Sequence, residues 1–137
     1  MNETPATAPL PITDPDAAGY YAALREHRLV LKTCDDCGQP HFYPRELCPH
    51  CFSDRLQWKP ASGRGEIYSF TVARRPAGPA FKPQVPYVVA LVQLDEGPRM
   101  MSNVITDRPE EVRIGQRVAI RYDDVTPEMT LPRFVLA

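Results

Sequence analysis

The sequence predicts a mainly β protein in which a short N-terminal helix precedes a metal-held ribbon and a five-stranded closed barrel. Three observations carry that prediction. All four cysteines fall as two Cys-x-x-Cys pairs, Cys34/Cys37 and Cys48/Cys51, with ten residues between the pairs. Just before them, Ala17, Tyr20, Tyr21 and Leu24 repeat at the i, i+3, i+4, i+7 spacing of one helix face. From Glu66 onward the pattern changes to short alternating runs separated by turn residues, the signature of strands. The chain accordingly divides into an arm over residues 1–14, a helix and ribbon over 15–60, and a barrel over 61–137.

The arm is proline-rich and poor in large apolar residues, so it reads as flexible. It has neither the basic nor the apolar region of a signal peptide. No apolar run in the chain approaches the roughly 20 residues of a membrane span. A reducing cytosol is therefore expected, where cysteines favour metal over disulfides. Asp14 is the candidate N-cap of the helix, with Pro15 in the first turn. A helix this short must pack on something, either this chain or a partner.

The cysteine spacing lets each pair place two thiolates on one ion, and four sulfurs complete a closed tetrahedral site with no position left for substrate. Gly38, directly after Cys37, is free to take the positive φ that turns backbone amides toward sulfur. Pro49 stiffens the matching turn in Cys48-Pro49-His50-Cys51. Short strands are expected at 29–32, 39–43 and 56–59. The ion supplies on the order of 10 kcal/mol of folding free energy, which so small a segment cannot obtain from its own core. Zinc is the expected structural ion, and tetrahedral sulfur also accepts iron. His41 and His50 lie beside the cysteines but have no place in a completed sphere, so both read as solvated imidazoles.

In the barrel half, Tyr68, Phe70 and Val72 fall on one face of the first strand and read as inward. A Pro-rich loop, RRPAGPAFKPQVP, follows. Residues 87–94 are apolar on both faces, so that strand must lie centrally or be covered. Asp95-Glu96-Gly97-Pro98 is a hairpin turn into 99–105, and strands at 118–122 and 131–136 complete the set. Five short strands with a long first connection match a small barrel of the OB type, its usual helix reduced to DRPEEVRIG.

Sixteen basic and seventeen acidic residues give a net charge of −1, and four thiolates holding one divalent ion bring it near −3 (−1 − 4 + 2). That argues against binding to phosphate backbones, which needs a basic excess. A nucleic-acid-binding ribbon–OB module is the competing reading, and an iron-loaded electron carrier a third. No Ser-His-Asp order, perturbed carboxylate pair or phosphate-cradling Gly-rich loop is evident, and all four thiols are committed to metal.

The stretches YYAALREHRLVLKTCDDCG, PRELCPHC, GRGEIYSFTV, PYVVALVQLDEG and VRIGQRVAIRYDD together span nearly the whole chain. In that combination the chain resembles the DUF35 family, rubredoxin-like zinc-ribbon and OB-fold partners of thiolase-superfamily enzymes. One departure is His27, where relatives commonly carry glycine before Arg-Leu. The resemblance implies a non-catalytic accessory subunit bound to a thiolase, acyltransferase or retro-aldolase that acts on acyl-CoA thioesters, in a two-by-two assembly with a dimeric partner. It implies zinc on Cys34, Cys37, Cys48 and Cys51, and contacts to the partner through Tyr20, Tyr21 and Leu24. Arg74, Arg75 and Lys82, beside Phe81 on the Pro-rich loop, are then expected to lie near the coenzyme A entrance of the partner, facing phosphates and adenine.

Overall fold

The structure is a computed structural model and describes residues 8–137. The arm is described only from Ala8, so its first seven residues lie outside the described part. A single 3₁₀ turn, Pro15–Ala17, leads into α1 (Ala18–Arg25). The side chain of Asp14 caps it by accepting the Ala17 amide at 3.0 Å, as its position predicts. The helix ends in a Schellman arrangement: the His27 amide reaches the Leu24 carbonyl at 2.9 Å and the Arg28 amide the Ala23 carbonyl at 3.0 Å. This ending puts His27 at φ 57°, a left-handed conformation that glycine adopts without cost. Here the imidazole compensates by stacking on Tyr122, centroids 5.1 Å apart and planes within 6°, and by bonding the Asp124 carboxylate at 3.0 Å. Asp124 is in turn held below the usual carboxylate range, first by the Thr130 hydroxyl and then by His27.

The ribbon is a three-stranded antiparallel sheet in the order β2-β1-β3, with β1 (Val30–Cys34) central between β2 (Pro40–His41) and β3 (Leu56–Pro60). Trp58 on β3 lies against Gly19 of α1, where an added Cβ would sit 2.7 Å from the indole nitrogen. The sheet and the helix therefore meet at a contact that admits no side chain on Gly19.

The barrel consists of β4 (Arg64–Ala73), β5 (Tyr87–Leu94), β6 (Arg99–Val104), β7 (Arg117–Thr126) and β8 (Met129–Leu136), closed in the order β4-β5-β6-β8-β7. All pairings are antiparallel except β6 with β8, and β4 returns to β7 to close the ring. This is the OB arrangement. The Pro-rich connection carries a 3₁₀ helix, Pro79–Gln84, and the connector between β6 and β7 another, Pro109–Glu111.

Phe134, Ile67, Val88, Val92, Leu94, Met100 and Val118 fill the barrel, and Tyr20, Leu24, Leu29 and Leu31 extend the same cluster under the helix and ribbon. Removing each such aliphatic or aromatic side chain from water contributes about 1.5–3 kcal/mol. The inward reading of Tyr68 is corrected: it is 47% exposed. A β-bulge between Ile67 and Ser69 resets the alternation, so Gly65 and Ile67 point inward before it and Phe70 and Val72 pack on the core after it. Tyr68 is turned out at the irregularity, where the Arg99 guanidinium covers its ring at 3.7 Å.

Candidate functional site

The four cysteine sulfurs converge. They all lie within 4.8 Å of one another, with Cys34–Cys51 at 3.6 Å and Cys37–Cys48 at 3.7 Å. Four sulfurs at a Zn–S distance of about 2.3 Å around one tetrahedral ion stand about 3.8 Å apart, so this set fits zinc without rearrangement. Two backbone amides point at sulfur, Cys37 at Cys34 (3.5 Å) and His50 at Cys48 (3.4 Å), as thiolate charge requires. The Cys37 amide is the main reason that the Cys34 thiol is lowered to about 7, whereas, against the pull of the Ser53 amide, burial and the neighbouring thiols push the Cys51 thiol up to about 12. Gly38 takes φ +77°, as its place in the knuckle predicts. Outside the sulfurs, Asp36 ties the two knuckles together by accepting from Ser53 and, at 2.8 Å, from Arg55. Cys34 and Cys48 are buried while Cys37 and Cys51 face outward. The closed donor set supplies structural stabilisation and offers no open coordination position.

His41 corrects a second reading. It is only 4% exposed, not solvated, because β2 carries its side chain under the ribbon toward the barrel; His50 is exposed as anticipated. Burial first, then the nearby His50, Lys32 and Arg45, hold the His41 imidazole below its ordinary pKa, which favours the neutral ring.

The three residues expected at a partner contact separate. Tyr20 and Leu24 are 2% and 0% exposed, committed to the core of this chain, and Tyr21 alone remains half-buried at its edge. Tyr20, Tyr21, Phe42 and Tyr43 form an edge-to-face aromatic cluster with centroids 5.1–6.3 Å apart. Burial, then neighbouring tyrosines, push the Tyr20 phenol far up and that of Tyr43 up to about 12, so both are protonated hydroxyls at neutral pH.

Arg74, Arg75 and Lys82 are exposed, and none forms a salt bridge among the described residues. Phe81 packs beside Tyr87 at 6.1 Å and lines an apolar cavity of about 600 Å³ with Leu10, Val125 and Leu131. The sequence reading did not single out the outer face of β4, β5 and β6. There Leu91 pairs with Ser69 and Met101, and Val89 lies one outward position along. Met101 is 66% exposed, which with Val89 and Leu91 leaves a largely apolar sheet face uncovered by this chain. The signal was present in the two-sided apolarity of residues 87–94.

Fold and site together define a zinc-ribbon and OB-barrel protein. Family models bear this out: residues 22–57 match the rubredoxin-like zinc ribbon domain of ChsH2, and residues 58–123 its C-terminal OB-fold domain. The chain is 39% identical over 94% of its length to a probable enoyl-CoA hydratase alpha subunit of Thermomonospora curvata, of which it spans 40%. It is 34% identical over 76% of its length to a DUF35 domain-containing scaffold protein of Methanothermobacter thermautotrophicus, of which it spans 78%. Among solved structures, a chain of the Ltp2-ChsH2(DUF35) aldolase superposes with a TM-score of 0.83 at 38% identity, covering 93% of this chain and 98% of that one. The protein belongs to the DUF35 family. Among the described residues no helix is long and apolar enough to cross a membrane.

Proposed function

We propose that this chain is a non-catalytic accessory subunit that binds and supports a thiolase-like enzyme acting on acyl-CoA thioesters. The observation that carries the reading is its likeness, over 98% of that chain's length, to the DUF35 component of a solved aldolase complex. A further relative, 35% identical over 52% of this chain, is named a benzoylsuccinyl-CoA thiolase subunit.

The chemistry of the chain's own residues supports the same reading. Its thiols form a closed metal set, its buried tyrosines are held protonated, and His27 is engaged in stacking and a hydrogen bond to Asp124. What the molecule presents outward is an apolar sheet face around Leu91 and Met101, with Tyr21 at the edge of the aromatic cluster. An uncovered apolar face of this kind suits a protein contact. The partner is thus held against β4–β6 and Tyr21, with Tyr20 and Leu24 supporting that surface from beneath. Arg74, Arg75 and Lys82 stand near the entrance by which the anionic coenzyme reaches the partner. A dimeric partner gives a two-by-two assembly, and the complex works in the cytoplasm.

Co-expression with a thiolase-like chain from the same genome tests the proposal. A co-eluting complex that Met101→Glu disrupts, with zinc content unchanged, is the expected result. Two chains that elute separately at micromolar concentration would refute it. The triple variant Arg74→Ala/Arg75→Ala/Lys82→Ala should raise the Michaelis constant of the complex for acyl-CoA, and an unchanged constant removes that part of the reading.

A further inference from the structure

The two knuckles that carry the cysteines share one backbone design. In the first, the amide of Gly38 returns to the Cys34 carbonyl at 2.9 Å, and Gly38 takes φ 77°. In the second, the amide of Phe52 returns to the Cys48 carbonyl at 2.8 Å, and Phe52 takes φ 65°. The same left-handed position is filled once by glycine, which adopts it without strain, and once by a bulky aromatic residue, for which it is an outlier. Nothing within this chain offsets that cost. Phe52 is 78% exposed, and among the described residues it joins neither the core cluster nor any aromatic or cation–π pair.

Backbone strain combined with an apolar side chain in water points to contact with another molecule. Leu47, directly before Cys48, adds a second exposed apolar side chain to the same knuckle. The charges around them narrow the occupant. Glu46 and Asp54 outnumber Arg45, and Arg55 is engaged by Asp36 at 2.8 Å. No cationic excess remains to hold a phosphate backbone or an anionic lipid surface, so the occupant is a protein that offers an apolar pocket. The surrounding surface indicates which protein. The knuckle contributes Pro49 and His50 to a cleft that is also lined by Phe42 and by Arg99 of β6. Phe42 lines in turn the groove that reaches Met101, and Met101 borders Leu91 on the uncovered sheet face. The knuckle is therefore continuous with the face assigned above to the thiolase-like partner.

We propose that Phe52 anchors this chain to the thiolase-like partner, its ring seated in an apolar pocket of that partner and Leu47 contributing to the surrounding contact. The inference rests on the partner reading and adds to it a second contact, on the ribbon as well as on the barrel. A knuckle clamped by four sulfurs suits the task, because a loop already fixed in place loses little conformational freedom on docking. Phe52 then lowers the stability of the free chain and raises its affinity for the partner, the opposition expected where a strained residue serves function.

Three forms of the zinc-loaded full chain test this: the parent, Phe52→Gly and Phe52→Ala. Each is melted alone and titrated calorimetrically with a thiolase-like chain from the same genome. Both substitutions remove the ring, and only glycine removes the strain. Phe52→Gly should melt about 3 °C above the parent and yet bind the partner at least about tenfold more weakly. Phe52→Ala should bind as weakly while melting within about 1 °C of the parent, since alanine keeps the left-handed cost. A merely structural role would make affinity follow stability, whereas here the two move in opposite directions. Unchanged affinity of both variants for a partner that Met101→Glu no longer binds overturns this inference and leaves the partner reading in place. No complex with the parent overturns both. Phe52→Gly melting no higher than the parent removes the strain argument and the proposal with it. A dimer of the chain alone that Phe52→Gly dissociates, read by sedimentation, would put the pocket on a second copy and also overturn the proposal.

Discussion

Gly63 sits where the ribbon hands over to the barrel, with φ +76° and its carbonyl accepting the Ile120 amide at 2.7 Å. A Cβ built there would lie 2.3 Å from Ile120 Cγ2 and 3.2 Å from Ile120 Cβ. Gly63→Ala therefore carries two separable penalties. The left-handed backbone costs an L-residue about 1–2 kcal/mol. Forcing Ile120 aside in a packed wall adds about 1–3 kcal/mol. The expected loss is about 3 kcal/mol, measured by urea unfolding of the zinc-loaded protein with unchanged slope. Gly78, at φ −179° with open space around its Cβ position, supplies the control, and Gly78→Ala should change stability by no more than about 0.5 kcal/mol. In an Ile120→Ala background the 2.3 Å overlap disappears and only the 3.2 Å approach to Cβ remains, so Gly63→Ala should there cost little more than the backbone share, about 1–2 kcal/mol. A loss below about 1 kcal/mol in the parent, or the same loss in both backgrounds, would refute this account of the junction.

His27→Gly should leave the melting temperature nearly unchanged, because relief of the left-handed strain, about 1 kcal/mol, offsets a lost ring stack of similar size. His27→Val, with a β-branched side chain at φ 57°, should lower it clearly, and equal melting of the two variants would contradict the assignment. Phe134→Ala, emptying the centre of the barrel, should cost about 3–5 kcal/mol in the same unfolding assay. Stripping the metal with a strong chelator should collapse amide protection over β1 to β3, read by hydrogen exchange, and Cys48→Ser should reproduce this; a protected, metal-free ribbon would show that the sulfurs are not what holds it.

Local rules made much of this molecule legible in advance. The cysteine spacing specified the metal set, Asp14 and Pro15 marked the helix start, and short alternating runs, with one run apolar on both faces at 87–94, located the five barrel strands. Tyr68 escaped because a bulge shifts the alternation by one residue, and pairing with β5 rather than strand propensity decides where that bulge falls. His41 escaped for a different reason. Proximity to cysteines in sequence suggested a knuckle surface, whereas its strand faces the β5–β6 turn, a relation set by packing of ribbon on barrel. The division of Tyr20 and Leu24 from Tyr21 has the same origin. A helical stripe says which side chains share a face, and only the sheet packed against it says whether that face is used up. The glycine-replacing His27 was visible as a departure, but its compensation by Tyr122 and Asp124, nearly a hundred residues away, was not.

The central claim is that this chain lends support to another protein's active centre and carries none itself. Thioester turnover, assayed for the zinc-loaded chain alone, for a thiolase-like chain that co-purifies with it, and for the two combined, tests it most directly. The account predicts no turnover by the first, little by the second and full activity only in the mixture. Turnover by the first alone, or full activity of the second without it, would contradict the account.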